Sequence, residues 1–325
     1  MHAEIKNFFE NLTVPRTSLF SSDMFPSGNI FIERFDKTHP VLQGNKWFKL
    51  KRNIFECVNE GKDTILTFGG AFSNHIHATA GAGNIMGLKT IGIIRGERTN
   101  PLNFTLQEAE KFGMQLHFVS RTEYRNRYSD EYIDTLKEVF GDFYFVPEGG
   151  SNRLGYLGAS EMLPDDFGEF DYIIMAMGSG GTIGGNLIAA SKNQGYKTKF
   201  LLVPVLKDYE YVLDNVKEIL KLEGIINFKN LEVLGNYHCG GYAKTNDVLI
   251  NFIHSFIKEY GVDLDPIYTG KVLFAVSQLS QDGYFKPGEK ILVYHTGGLQ
   301  GKTGFVQRFP KYSFLLENNG LFNPV

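Results

Sequence analysis

Lys46 stands in Gln43-Gly44-Asn45-Lys46-Trp47-Phe48-Lys49-Leu50, an amine between a Gly-Asn turn and two bulky aromatics. With Lys49, Lys51 and Arg52 it forms a basic run, and such runs are usually solvated faces. In a dry pocket the same amine gives up its charge and becomes a nucleophile toward an aldehyde. Gly69-Gly70-Ala71-Phe72-Ser73-Asn74-His75 reads either as a turn with Ser73 or Asn74 capping a helix, or as amides and side chains surrounding a small carboxylate. Gly178-Ser179-Gly180-Gly181-Thr182-Ile183-Gly184-Gly185 opens a helix directly after an apolar strand. Its glycines let amides approach an anion, the helix start adds positive potential, and Ser179 and Thr182 add hydroxyl donors. A tight strand-to-helix turn without a ligand would use the same glycines.

An amine, a carboxylate-holding turn and a phosphate cradle are together what a pyridoxal phosphate (PLP) enzyme needs: a Schiff-base former and anchors for cofactor and substrate. ATP and NAD fit less well, because no Gly-Lys-Ser/Thr ends the loop and its spacing makes a poor Gly-x-Gly-x-x-Gly fingerprint. Tyr242 in Gly240-Gly241-Tyr242, and Tyr268 in Asp265-Pro266-Ile267-Tyr268-Thr269-Gly270-Lys271, are site candidates or core aromatics with satisfied hydroxyls. His295-Thr296-Gly297-Gly298 closes a strand with polar groups where a ring nitrogen could be met.

The elements that must carry these groups are short apolar runs alternating with longer helical ones. Strands are predicted over 64–68, 90–94, 116–119, 143–146, 172–177, 200–205 and 291–294, and helices over 75–87, 103–112, 130–140, from the Gly178 loop to 190, 209–222 and 248–260. Continuous apolar strands between helices imply parallel sheets covered on both faces, with ligands outside the carboxyl ends of the strands. Gly69 to Asn74, Gly178 to Gly185 and His295 to Gly301 each follow a strand. A two-lobed α/β enzyme with an intervening cleft is expected.

Composition narrows the function classes. The net charge of -3 gives no pull toward nucleic acid or anionic lipid, and neither partner is expected. No stretch approaches a membrane span, and charge interrupts the amino-terminal segment before a signal-peptide core could form. Cys57 and Cys239 read as free thiols of a cytoplasmic protein, and no metal site is expected, since no Cys-x-x-Cys or His-Glu-x-x-His spacing occurs.

Gly44-Asn45-Lys46-Trp47-Phe48-Lys49-Leu50, Phe72-Ser73-Asn74-His75, Pro147-Glu148-Gly149-Gly150-Ser151-Asn152, Gly178 to Thr182, Gly241-Tyr242, Tyr268-Thr269-Gly270-Lys271 and His295-Thr296-Gly297-Gly298 occur in this order over nearly the whole chain. In this it resembles the 1-aminocyclopropane-1-carboxylate (ACC) deaminase and D-cysteine desulfhydrase family of tryptophan synthase β-like, fold type II PLP enzymes. The resemblance implies a two-lobed, three-layer parallel-sheet fold and a homodimer. Residues 1–50 and 161–325 would form a large PLP-binding domain and 51–160 a small one, with the active site between them. It further implies that Lys46 holds PLP and acts as the base, and that Asn74 meets the phenolic oxygen. Gly178, Ser179, Gly180, Gly181 and Thr182, with Lys49, would bind the phosphate, and Thr296 would face the pyridine nitrogen. Ser73, Asn74 and His75 would lie by the substrate carboxylate, with Tyr242, Tyr268 and Thr269 around the substrate.

Ring-opening members of the family resemble one another in having Glu after the tyrosine matched by Tyr268 and Leu in place of Thr296. Thr269 and Thr296 follow the desulfhydrase pattern, which implies α,β-elimination from a small D-amino acid, D-cysteine first, giving pyruvate, ammonia and hydrogen sulfide. The alternatives are ACC deamination to α-ketobutyrate and ammonia, a non-catalytic PLP or amino-acid binding protein, and a nucleotide-binding regulator without PLP. Trp47-Phe48 departs from the family's usual small-residue-plus-Arg pair, which would either reshape the entrance or repack the lobe interface.

Overall fold

The computed structural model describes residues 2–10, 12–26, 28–193 and 195–317. In chain order the elements are α1 (His2–Glu10), β1 (Arg16–Leu19), β2 (Ile30–Glu33), α2 (Asn45–Asn59), β3 (Thr64–Gly70), α3 (Asn74–Met86), β4 (Lys89–Arg95), α4 (Phe104–Lys111), β5 (Gln115–Val119), α5 (Asp130–Phe140) and β6 (Tyr144–Val146). There follow α6 (Arg153–Ala159), β7 (Tyr172–Met177), α7 (Gly181–Ala190), β8 (Lys199–Pro204), α8 (Glu210–Leu222), β9 (Leu231–Val233), α9 (Asp247–Tyr260), β10 (Ile291–Tyr294), with α10 (Thr269–Gln281) before β10 and α11 (Gln300–Arg308) after it.

Two sheets result, one of six strands in the order β1-β2-β10-β7-β8-β9 and one of four in the order β5-β4-β3-β6. Every pairing is parallel except the edge pair β1 with β2, which is antiparallel. Parallel sheets were the expectation, and this edge departs from it: the two strands are close in sequence and need no crossover helix. Successive residues of a central strand feed opposite cores, Ile173 and Met175 one and Ile174 the other. The small sheet likewise sends Leu66 and Phe68 to one side while Ile94 packs with Ile76 and Leu106 on the other. Helices therefore cover both faces of both sheets, a three-layer α/β arrangement.

β1, β2, β9, α1, α2, α6, α10 and α11 were not among the predicted elements. The unread strands are only three or four residues long, too short for a period-2 signal. In α2 the periodicity was available: Trp47, Leu50, Ile54, Cys57 and Val58 are all buried on one face. The helix is continuous through residue 50, where the sequence suggested a lobe boundary. Trp47 packs 4.8 Å from both Phe8 and Phe9 of α1, and Phe48 meets Phe35 edge-on at 5.5 Å, so both fill core rather than line the cavity.

No helix among the described residues is long and apolar enough to cross a membrane, and no group of three His, Cys, Asp or Glu there could hold a metal ion.

Candidate active site

Lys46 lies in the first turn of α2, which begins after Gly44. Gly44 has φ 66°, and a Cβ there would run into the Thr296 carbonyl. Only glycine meets both demands, so the turn is pinned to the end of β10. Asn45 N–H donates to Thr296 O at 3.2 Å, a second tie between the same two segments. Lys46 Nζ donates to Asn45 Oδ1 at 2.9 Å, and Asn45 Nδ2 donates to Thr182 Oγ1 at 2.9 Å. Burial pushes the Lys46 amine down to about 8. At pH 7 roughly one amine in ten is then neutral, against far fewer than one in a thousand for an ordinary lysine.

One helical turn further, Lys49 is 1% exposed. Its Nζ reaches Ser151 Oγ at 3.4 Å and Ser179 Oγ at 3.3 Å, and Ser151 donates to Ser179 at 2.8 Å. No carboxylate pairs with it among the described residues. The amine lies against Gly181, in the space a Cβ would occupy, at the start of α7. Burial and the Lys46 charge hold Lys49 well below the ordinary lysine value. A buried cation next to the positive end of a helix is unfavourable unless an anion joins them. Gly180 takes the left-handed conformation with φ 80°, which turns the chain from β7 into α7 and leaves that helix start open.

Ser73 caps α3, its Oγ accepting from Ile76 N–H at 3.3 Å, so the sequence's capping alternative is realised by Ser73. Asn74 is the first residue of α3, and its Oδ1 accepts from Gln300 Nε2 at 2.7 Å. His75 is 2% exposed. Thr67 Oγ1 donates to Val146 O at 2.7 Å, so His75 Nε2 must be the donor in its 2.9 Å bond to Thr67. Nδ1 is thereby left as an acceptor, buried and without a partner. Burial and the two lysine charges hold the ring neutral, well below the ordinary histidine value.

Lys46, Asn74 and Thr296 converge on a small cavity with Val41, Gln43, Asn45, His77, Ala78, Gly298 and Gln300. No carboxylate is among its lining residues. Burial pushes His77 down to about 4, so it is uncharged as well. Tyr268 does not line this cavity but lies beside the loop, its ring 3.3 Å from where a Cβ of Gly178 would stand. Its hydroxyl meets that of Tyr242 at 3.5 Å. Burial raises both phenols, Tyr268 well above the ordinary value, so each stays a neutral donor.

Thr269 stands apart from this group. It is 1% exposed, and its Oγ1 donates to Asp265 Oδ2 at 2.6 Å. Asp265 also accepts from the backbone N–H of Ile267, Tyr268 and Thr269, capping the start of α10. The Thr269 hydroxyl is thus committed to a cap. Asn45, Ser151 and Gln300 are the groups that sequence reading passed over. Asn45 and Ser151 stand inside the motifs themselves, whereas nothing in the sequence ties Gln300 to Asn74.

Lys49 without a counter-ion, the open start of α7 and the unpaired Nδ1 of His75 together fit a phosphorylated cofactor and a polar substrate. The profile of the family described as "Pyridoxal-phosphate dependent enzyme" matches residues 16–297. The chain belongs to this family. It is 34% identical over 298 residues to the Arabidopsis thaliana bifunctional D-cysteine desulfhydrase/1-aminocyclopropane-1-carboxylate deaminase, covering 85% of this chain and 74% of that protein. That likeness places it among the ACC deaminase and D-cysteine desulfhydrase relatives, which are PLP-dependent lyases. A crystal structure described as an ACC deaminase homologue superposes with a TM-score of 0.77 at 26% identity, over 96% of this chain and all of that one. A hydrogen sulfide-producing enzyme from Fusobacterium nucleatum shares the fold, with a TM-score of 0.63 at 14% identity over 91% of this chain and 98% of that one. The cofactor is therefore PLP and the fold is the type II fold of these enzymes.

Proposed function

We propose that this lyase catalyses α,β-elimination from a small D-amino acid, with D-cysteine as the leading substrate. The overall reaction is D-cysteine plus water to pyruvate, ammonium and hydrogen sulfide. The observation that carries the choice is the carboxylate-free surround of Thr296: no acid lines the cavity to hold a protonated ring nitrogen. A neutral hydroxyl suffices where the α-proton is acidic and the sulfur leaves easily, whereas ring opening of ACC has no α-proton to remove and needs the stronger electron sink.

When bound, PLP supplies the electron sink for the carbon that loses its proton. Lys46 would hold the cofactor, Lys49 with Ser179, Thr182 and the start of α7 its phosphate, Asn74 its phenolic oxygen and Thr296 its ring nitrogen. Once free, the Lys46 amine takes the α-proton at Nζ, and its depressed proton affinity keeps a useful fraction neutral near pH 7. The α3 start and the open Nδ1 of His75 orient the substrate's carboxylate and ammonium groups. The Tyr242 phenol, which accepts from Tyr268 O–H, keeps its own O–H as a neutral donor for the departing sulfur.

ACC deamination is the second reading, and the bifunctional name of the Arabidopsis relative favours it. A keto-acid release screen over D-cysteine, L-cysteine, β-chloroalanine, D-serine and ACC decides: faster turnover of ACC than of D-cysteine reverses the ranking. K46A is expected to lose both turnover and the visible absorption of the holoenzyme, and retained turnover would sink the assignment. The same reading includes a large lobe of residues 1–50 and 161–325, a small lobe of 51–160, a homodimer and a cytoplasmic location.

A further inference from the structure

Arg95 is the last residue of β4 and pairs in register with Gly70, the last residue of β3. Both stand at the carboxyl edge of the four-stranded sheet, where parallel sheets gather ligands. The Arg95 guanidinium lies over Gly70, its Nη2 3.6 Å from the position a Cβ would take there. Gly70 O accepts from Ser73 N–H at 3.0 Å, closing the turn that leads to Asn74. Arg95 therefore flanks the segment expected to hold the substrate's carboxylate.

The neighbouring cation already has a counter-ion. Arg127 Nε is 3.1 Å from Glu148 Oε2, and its guanidinium rests over the rings of Tyr124 at 4.9 Å and Tyr128 at 4.5 Å. Arg95 shares Tyr124 as a platform, at 5.5 Å, yet no carboxylate pairs with it among the described residues. The Tyr124 hydroxyl is buried near Glu148. An exposed cation with no carboxylate partner among the described residues, at the ligand edge of a sheet, is arranged for an acceptor-rich anion.

We propose that Arg95 is a specificity residue that binds an anionic group on the β-substituent of the substrate. The preferred amino acids are then D-cysteine derivatives whose leaving thiol carries a second negative charge. The inference rests on the elimination reading above and names the class of substrate that reading leaves open. The reaction is RSCH2CH(NH3+)COO- plus H2O to RSH, CH3COCOO- and NH4+. The Cα–H and Cβ–S bonds break, the α-proton goes to Lys46 Nζ, and the sulfur leaves with the bonding pair and takes up a proton.

S-carboxymethyl-D-cysteine and its near-isosteric amide, S-carbamoylmethyl-D-cysteine, differ by one charge and decide the matter on the holoenzyme. The native enzyme is expected to favour the carboxylate by about tenfold or more in kcat/KM, the worth of one charge-assisted hydrogen bond. R95Q should abolish that ratio while leaving turnover of D-cysteine within about threefold, and R95K should keep part of it. Equal use of the two compounds by the native enzyme, or an unchanged ratio in R95Q, overturns the proposal. So does turnover of D-cysteine with neither derivative accepted, an outcome that leaves the elimination reading standing. If D-cysteine itself is not turned over, the elimination reading fails. Calorimetric affinities of the two compounds for native and R95Q protein then judge Arg95 by the same ratio.

Discussion

Lys46 and Thr182 are joined through a single side chain, for the Asn45 carboxamide accepts from Lys46 Nζ and donates to Thr182 Oγ1, each at 2.9 Å. The amine on α2 and the loop before α7 come from segments 137 residues apart, measured from Asn45. One amide thus fixes the distance between the group that would hold the cofactor's aldehyde carbon and the group that would hold its phosphate. N45A should remove both bonds and let the two ends of the site drift. We expect cofactor affinity to fall by about ten- to a hundredfold, roughly 1.5–3 kcal/mol for the lost polar contacts. Absorbance of the holoenzyme after dialysis against graded PLP checks this.

The depressed Lys46 amine makes the cofactor-free protein pH-dependent in a defined direction. Its folded value is about 8, below the roughly 10.4 of an unfolded lysine. Between these values the unfolded chain binds more protons than the folded one, so stability rises with pH across that window. Lys49, shifted the same way, adds to the slope. Urea unfolding of the cofactor-free protein from pH 7 to 10 should show the rise, and K46M should flatten part of it. A native curve that is flat or falls over that range contradicts the picture.

Beneath the Thr296 loop a second polar group carries structural weight. Asp36 accepts from Arg34 Nε at 2.8 Å and Nη2 at 2.6 Å, and lies 3.6 Å from His295 Nδ1. Burial alone would raise its carboxyl, but the facing His295 ring and the Arg34 guanidinium reverse the sign and leave it below the ordinary value. D36N keeps the shape and strands the Arg34 charge, so a loss of about 3–5 kcal/mol is expected. R34Q/D36N, which removes both charges, should lose less than D36N alone in the same denaturation experiment. Because the folded value is depressed, the carboxylate's contribution is present above the unfolded value of about 3.9 and disappears as pH falls through the folded one.

The parts legible in the sequence are those whose signal is local and whose environment is uniform. Thr64–Gly70 and Tyr172–Met177 are almost wholly buried, and their continuous apolar runs announce parallel strands without reference to anything else. Lys46, Asn74 and Thr296 lie around one cavity because each follows a strand or opens a helix at the same edge of the fold. What escaped depends on partners far along the chain or on short elements. Gln300 reaches Asn74 across 226 residues, and β9 is three residues of half-exposed strand. Thr269 escaped for another reason. Its residue type marks a choice within the family, but its hydroxyl is consumed by Asp265 four residues back, and only coordinates reveal that use.

That capture makes Thr269 the test of how the two discriminating positions work. Thr269 and Asp265 share a buried pocket at the start of α10, with four donors already aimed at one carboxylate. T269E would bring a second carboxylate into this place while removing the hydroxyl donor, so two like charges would compete for the same N–H groups. Relief would require protonation of one acid or rotation of the new side chain toward the cleft. We expect T269E to destabilise the protein by about 2–4 kcal/mol, in line with other unpaired buried charges, and to confer no ACC turnover. T296L, which keeps the Asp265 cap, should preserve stability within about 1.5 kcal/mol. Thermal unfolding with parallel assays on D-cysteine and ACC separates the outcomes. A stable T269E with new ACC turnover would mean that the Asp265 cap yields, and that position 269 can face the substrate.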